Sequence, residues 1–531
     1  MQIPLLLRHA GWSGRGMGVL LGAIAVLGQA PFHYWPLTVL SLAILFGRLQ
    51  WTAELDRPGR AGFSAAFWWA LGYFAAGTFW IGSAFIERGP EFIPLMPFMV
   101  GGLACLLALF WGLGGAYLAR ARLSGLKAVL AFTAVFTLAE LARGHALGGF
   151  PWNLPGYIFE AGARPSQVAR WVGAYGLSAL VFLISAALGQ FIFWRKRIWP
   201  LAMTALPVVA LYGVGQMRLA QADIESVPGV KLRIVSVPFK QSDKMNPDTS
   251  IDIVNDFIRA SLAPGLEDVT HLVWPEGAVN GLALENEPLL SAVGNSLASV
   301  DDTPPVWLMN SLLTEVEQGR TRYYNASVAI TFNADGYPAV AASNRKYKLV
   351  PFGENIPFMD WMEDVQVPLI STNLASISPA DEKRLADFPG LPRLSPQLCY
   401  EIIFPGFTPI DLKNPPQFIL NQSNDAWFGN YIGPAQHANI ARYRAIETGL
   451  PIVRAASNGE SAMIDPYGRR YKKVKKTGVF HIDTTLVKPL KINNKTKITQ
   501  LVLLLLSLLT CVIVTTVKHR NMVLRAKITD V

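Results

Sequence analysis

The chain has 531 residues, of which 51% are hydrophobic and only 16% charged, against about 25% charged in an ordinary soluble domain. That deficit excludes a conventional cytosolic globule, and the apolar excess is uneven: Leu, Ala, Val, Phe, Trp and Gly crowd residues 1–215, whereas Asp, Glu, Lys and Asn concentrate in 216–497. The net charge of +10 does not mark a nucleic-acid partner, because the basic residues form no single stripe and many flank apolar runs of membrane-spanning length.

A membrane span needs about 20 mostly apolar residues. Eight runs come near that length, at 16–30, 35–46, 62–85, 93–119, 126–141, 168–194, 198–214 and 498–516. The second is short enough to form a re-entrant hairpin with the first. Loop charges then set the orientation, since Lys and Arg accumulate on the cytoplasmic side. With the N-terminus inside, the inner connections carry Arg8 and Arg15, then Arg48, Arg57 and Arg60, then Arg120, Arg122 and Lys127, then Arg195, Lys196 and Arg197. The outer connections carry far fewer, so seven spans place the polar region outside and the eighth returns the tail to the cytoplasm. No cleaved leader is expected, because further spans follow the first apolar run at once. The expected organisation is a membrane domain over 1–215 with about seven transmembrane helices, a polar domain over 216–497, and a last helix with a cytoplasmic tail over 498–531.

The polar region alternates β-type runs with helical patterns, which predicts an α/β core. Strands are expected at 231–237, 271–274, 327–332, 418–420, 452–455 and 461–464, and helices at 251–262 and 436–448. No phosphate-binding loop, dinucleotide fingerprint, zinc-protease motif or nucleophile elbow occurs. The histidines show no ligand spacing, so neither metal nor cofactor is expected. Three cysteines cannot make a disulfide framework, and Cys105 and Cys511 lie inside apolar runs. Cys399 is therefore the single thiol of the polar region, either inert packing or a nucleophile. It ends an apolar run where a strand would stop, and strand ends facing a crevice are where α/β folds place working residues. Glu276 likewise follows a strand directly, in Trp274-Pro275-Glu276, and a third polar segment runs from Lys346 to Glu354.

These three segments, in this order, resemble the glutamate, lysine and cysteine triad of the nitrilase superfamily. Together with the apolar spans they resemble one membrane branch of it, the apolipoprotein N-acyltransferases. The likeness extends through GGFPWNLPGY at 148–157, LVPFGE at 349–354, NDAWFG at 424–429 and PAQHANIARYRAIETG at 434–449. It implies a multi-span helical membrane domain plus an extracytoplasmic nitrilase-like α-β-β-α sandwich, in the bacterial inner membrane with the catalytic domain on the periplasmic side. It implies transfer of a fatty acyl chain from a phospholipid donor to the α-amino group of a diacylglyceryl apolipoprotein acceptor. Glu276 would be the base, Lys346 would stabilise the oxyanion, and Cys399 would carry the acyl group as a thioester, with Glu354, Tyr400 and Glu401 in support. Lys348 competes with Lys346 for the lysine role, and the spacing of eight residues to Glu354 favours Lys346. The chain departs from the family pattern at Gly277, Met245, Lys348 and Asn355.

Met245, Trp361, Met362, Trp427 and Phe428 are candidates for bordering the acyl approach, since Trp and its neighbours favour the bilayer interface. Glu140 and Arg143, at the end of a span, would be costly facing lipid and are expected to pair with each other or with backbone near 148–157. The protein is expected to be a monomer without a nucleic-acid partner. Two alternatives share the triad or its ancestry: a membrane-tethered amidase in which water resolves the thioester, and a divergent, non-catalytic lipid-binding paralogue.

Overall fold

In the computed structural model the described residues are 11–194, 198–300, 303–317, 320–351, 353–354, 377–473, 478–491 and 495–529. The chain divides into two compact units, one comprising 1–86, 90–222 and 493–531 and the other 87–89 and 223–492.

The first unit is helical: α1 (Trp12–Ala25), α2 (Trp35–Thr52), α3 (Pro58–Thr78), the short α4 (Ser83–Arg88) at its margin, α5 (Met96–Ala121), α6 (Gly125–His145), α7 (Ala169–Phe193) and α8 (Trp199–Ala220), with one long helix at the C-terminal end of the chain. Each of the eight apolar runs thus becomes a helix. Six helical stretches among the described residues are long and apolar enough to cross a membrane. α1 is shorter, and α2 carries Arg48, whose Nη2 donates to the Gly14 carbonyl of α1 at 2.8 Å. In lipid, helices associate by close packing rather than by hydrophobicity, so small residues mark the contacts. A Cβ on Gly22 would sit 1.9 Å from the Trp69 carbonyl oxygen, and one on Gly62 2.4 Å from that of Gly115. These glycines let α3 lie directly against α1 and α5. Glu140 and Arg143 are both buried and pair as expected: Arg143 Nε and Trp111 Nε1 each donate to Glu140 Oε1 at 2.8 Å. Arg143 Nη1 also donates to the carbonyls of Phe150 and Trp152, at 2.7 and 2.9 Å. One ion pair thereby fixes the 148–157 connection.

The second unit holds β1 (Ser226–Ser236), α9 (Gln241–Met245), α10 (Pro247–Ser261), β2 (His271–Val273), α11 (Glu287–Ala298), β3 (Val306–Glu317), β4 (Arg320–Phe332), β5 (Pro338–Arg345), β6 (Leu394–Leu398), β7 (Phe418–Asn424), α12 (Gly433–Thr448), β8 (Ile452–Ser457), β9 (Ala462–Ile464), β10 (Arg470–Lys473) and β11 (Phe480–Val487). The C-terminal helix of the first unit follows as α13 (Thr496–Thr529). Among the described residues there are two sheets, a six-stranded one in the order β11-β1-β2-β3-β4-β5 and a five-stranded one in the order β10-β9-β8-β7-β6. β1, β2 and β3 run parallel, as do β6, β7 and β8, while β11 pairs antiparallel with β1, β4 and β5 continue antiparallel from β3, and β9 and β10 from β8.

The facing sides of the sheets share one core, in which Ile234, Val273 and Leu308 meet Leu420, Val453 and Met463. The other face of the larger sheet, with Leu272, Trp307 and Val328, is covered by Phe257 of α10 and Val293 and Leu297 of α11. α12 is buried throughout beside the smaller sheet. The result is the expected α-β-β-α sandwich. It matters for function because β2, β5, β6 and β7 each lead into a polar side chain of interest: Glu276, Lys346, Cys399 and Asp425.

Candidate active site

Cys399 is the first residue after β6, where the chain turns sharply with φ +45°. A non-glycine residue in that left-handed region costs about 1 to 3 kcal/mol and persists only when the surroundings enforce it. Here they do. Glu401, two residues on and almost fully buried, accepts from the amide of Leu398 at 2.8 Å through Oε2. Its Oε1 accepts from the amides of Tyr347 and Lys348 at 2.8 and 3.0 Å. One carboxylate therefore clamps the turn of Cys399 to the segment of Lys346. Burial raises the Glu401 carboxyl to about 7, against the opposing pull of Lys346 and those amides.

Beneath the turn lies a second buried cluster. His437 Nδ1 donates to Asp425 Oδ1 at 2.8 Å while Nε2 lies 3.3 Å from the Cys399 carbonyl oxygen. Arg454 Nη2 donates to Asp425 Oδ2 at 2.7 Å, and Ser423 Oγ donates to Oδ1 at 2.6 Å. Burial alone would raise the Asp425 carboxyl, but Arg454 and His437 overcome it and hold it at about 2. Burial keeps the His437 imidazole below its usual range.

Lys346 follows β5, and its amide donates to the Asn325 carbonyl at 2.7 Å. Nζ donates to Glu354 Oε1 at 2.8 Å and lies 3.5 Å from Glu276 Oε1. Burial alone would lower its pKa, yet Glu276 and Glu354 raise it, so the ammonium stays charged. Asn325 Nδ2 donates to both carboxylates at 2.9 Å, and Glu276 Oε2 accepts from the Asn424 amide at 3.2 Å. Val350 completes Glu354 through its amide at 2.9 Å. The Cys399 thiol is raised well above its ordinary value, first by burial and then by the Glu276 charge, with Lys346 opposing. The resting sulfur is a neutral thiol, and both Glu276 and Lys346 act on it electrostatically.

The remaining sequence candidates fall as follows. Tyr400 is buried and packs edge-on to Phe404 with centroids 5.0 Å apart. Lys348 points elsewhere than Lys346, with Nζ 3.6 Å above the Phe404 ring. Trp427 is half-buried, and Phe428 lies edge-on to His437 at 5.5 Å. Met245 ends α9, and its side chain, like Trp361, Met362 and Asn355, lies outside the described residues. Gly277 has φ +76°, and a Cβ there would stand 2.7 Å from Asn424 Nδ2 and 2.9 Å from Lys244 Nζ. The sequence reading missed Asn325, Lys244, Ser423, His437 and Arg454. Only the NDAWFG and PAQH motifs, which contain Asp425 and His437, carried a signal for any of this shell. Among the described residues no group of His, Cys, Asp and Glu is arranged to hold a metal ion.

The family model of the carbon-nitrogen hydrolases matches residues 259–482. Together with the sandwich fold, this defines the class: a carbon-nitrogen hydrolase domain in one chain with a set of long apolar helices. A second family model, the apolipoprotein N-acyltransferase N-terminal domain, matches residues 21–187. The apolipoprotein N-acyltransferase of Caulobacter vibrioides is 35% identical over 474 residues, covering 87% of this chain and 86% of that protein. Its namesake in Rhodopseudomonas palustris is 34% identical, covering 86% and 87%, and that of Pseudomonas paraeruginosa is 32% identical, covering 87% and 88%. The chain belongs to the apolipoprotein N-acyltransferase family and is an acyltransferase, which sets aside the tethered amidase and the non-catalytic paralogue.

Proposed function

We propose that this enzyme transfers a fatty acyl chain from a phospholipid to the α-amino group of the N-terminal diacylglyceryl cysteine of an apolipoprotein, through a thioester on Cys399. The observation that carries this reading is that Lys346 Nζ lies 3.5 Å from Glu276 Oε1 while Glu401 ties the segment after Lys346 to the turn of the buried Cys399. A buried neutral thiol does not attack an ester by itself, so it needs a base at hand. Glu276 takes the thiol proton as the sulfur attacks the ester carbonyl. Lys346, held charged by its two carboxylates, faces the oxyanion, with the backbone amide beside Tyr400 as a further donor. Collapse expels the glycerol alkoxide of the lysophospholipid, which takes the proton from Glu276 and leaves the thioester. The acceptor amine then attacks, Glu276 accepts its proton, and the expelled Cys399 thiolate takes that proton back. Ester becomes thioester and then amide, which ends in a stable bond without a nucleotide.

Glu354 and Glu401 position Lys346 and the turn of Cys399. Trp427 and Phe428, both half-buried, border the acyl approach. The asymmetry of Lys and Arg between alternate connections supports an inner-membrane enzyme with its catalytic unit on the periplasmic side, and we take it to act as a monomer. The test is intact-protein mass spectrometry after incubation with phospholipid. Wild type should gain one fatty acyl mass on Cys399, and a diacylated lipopeptide should discharge it. Cys399→Ala should gain none, and Glu276→Gln should lose the acylation step. Acyl mass on another residue, or undiminished turnover in Cys399→Ala, overturns the proposal.

A further inference from the structure

Besides Lys346, a second lysine reaches the neighbourhood of the base. Lys244 lies in α9 and is only 8% exposed. Its Nζ stands 2.9 Å from where a Cβ of Gly277 would be, immediately after Glu276 in the chain. Its backbone carbonyl is engaged, accepting from Asn280 Nδ2. Its ammonium is not: among the described residues Nζ has no hydrogen-bond acceptor. Glu276 makes no hydrogen bond to it: Oε1 accepts from Asn325 and Lys346, and Oε2 from the Asn424 amide. Glu276 acts on Lys244 only as a nearby charge, and burial outweighs it, lowering the lysine to about 8. Lys348, the other lysine close by, already rests on the Phe404 ring.

A largely buried ammonium with no protein acceptor is costly, and natural sites keep one where an anion or water offsets it. The proposed donor brings such an anion, since a phospholipid carries its phosphodiester one glycerol unit away from the ester that Cys399 attacks. We propose that Lys244 is the subsite for the phosphate of the acyl donor, binding it beside Glu276 while the ester lies over Cys399. Gly277 puts no side chain against Nζ, where even a Cβ would stand only 2.9 Å away. The inference rests on the acyl-transfer reading and adds to it a residue that recognises the donor headgroup.

The experiment measures single-turnover acylation of Cys399 in the full-length enzyme in detergent. The two donors carry the same acyl chains: phosphatidylglycerol, and diacylglycerol, which has the ester but no phosphate. A lost hydrogen bond from a charged group corresponds to a slowing of about 10- to 150-fold. Lys244→Gln and Lys244→Met should both show it with phosphatidylglycerol while matching wild type with diacylglycerol, and Lys244→Arg should recover most of the rate. Equal slowing with both donors in both variants means that Lys244 acts through Glu276 and overturns the subsite. So does an unchanged rate with phosphatidylglycerol. Failure of wild type to acylate Cys399 from either donor instead overturns the acyl-transfer reading, and the subsite with it.

Discussion

Asp425 offers the sharpest test of how the turn of Cys399 is held. It is fully buried, with Arg454 Nη2 at 2.7 Å on one oxygen and His437 Nδ1 and Ser423 Oγ at 2.8 and 2.6 Å on the other. The attraction between unit charges at 2.7 Å is about 6 kcal/mol at an effective dielectric of about 20. Much of that offsets the cost of burying both ions. Breaking the pair from one side is another matter, because Arg454 then stays buried without a counter-charge, at about 3 to 5 kcal/mol. Asp425→Asn keeps the volume, so no cavity contributes. Such a loss is a large share of the roughly 5 to 15 kcal/mol that stabilises a typical domain. Pulse proteolysis across a urea series in detergent should show it as a fall in the midpoint, and the double variant Asp425→Asn with Arg454→Met should recover about 2 kcal/mol or more by removing the orphaned charge. The pH dependence has a definite sign. Asp425 is lowered from 3.8 to about 2 in the folded protein. Its contribution, roughly 2 kcal/mol, is therefore complete above pH 3.8 and is lost as pH falls through 2. An Asp425→Asn midpoint within about 1 kcal/mol of wild type would refute the idea that this ion pair holds the turn of Cys399.

Two more outcomes follow from the same geometry. Glu401 is raised from 4.5 to about 7, so the folded state favours its protonated form. Its roughly 3 kcal/mol is present below pH 4.5 and lost as pH rises through 7. Stability measured by denaturant titration should decline over that window in wild type, and the decline should flatten in Glu401→Gln. Gly277→Ala should cost about 1 to 2 kcal/mol from the left-handed backbone alone. Its Cβ also displaces Asn424 Nδ2 or Lys244 Nζ, so acylation of Cys399 should slow as well, and a wild-type melting temperature and rate would contradict the packing described at that loop.

Much of this architecture is written in local pattern, and the exceptions have physical reasons. The eight apolar runs are long and contiguous, and all became helices. The Glu140–Arg143 pair was legible because residues three apart share a helix face. The strand before Cys399 was legible by its end but not by its extent, because Leu394–Leu398 contains Pro396 and Ser395 and no β-branched residue. Among the described residues it is an edge strand of its sheet, where a proline costs no ladder bond. β3 escaped for a similar reason: Trp307-Leu308-Met309-Asn310-Ser311-Leu312 lacks both alternation and β-branched side chains, and its pairing with β4 decides its state. In the site, the three residues proposed for chemistry stood out because each sits in a distinctive segment. Asn325 and Lys244 are single polar residues in unremarkable surroundings, and only the fold brings them to Glu276.

The unequal grip of the two carboxylates on Lys346 points to a division of labour that can be tested. Glu354 lies 2.8 Å from Nζ and accepts from Lys346, Asn325 and the Val350 amide, whereas Glu276 lies 3.5 Å from the same Nζ. On the proposed mechanism that difference keeps the base available: Glu354 supplies the charge that anchors the ammonium, so Glu276 is not tied up as its main partner. When Glu276 takes the thiol proton its charge disappears, and Lys346, still held by Glu354, faces the oxyanion with no competing carboxylate. Glu354→Gln removes the anchor, and the ammonium then pairs with Glu276, so the proton transfer must first break a charge-assisted hydrogen bond. That step is expected to slow acylation by about 10- to 150-fold. Attack by the amine on a preformed thioester begins with the same Glu276 and should slow as well, while phospholipid binding, read from the concentration dependence of acylation, stays near wild type. Slower acylation that is fully reversed by raising the phospholipid concentration would place Glu354 in donor binding instead and would remove this account of why the site has two carboxylates and one ammonium.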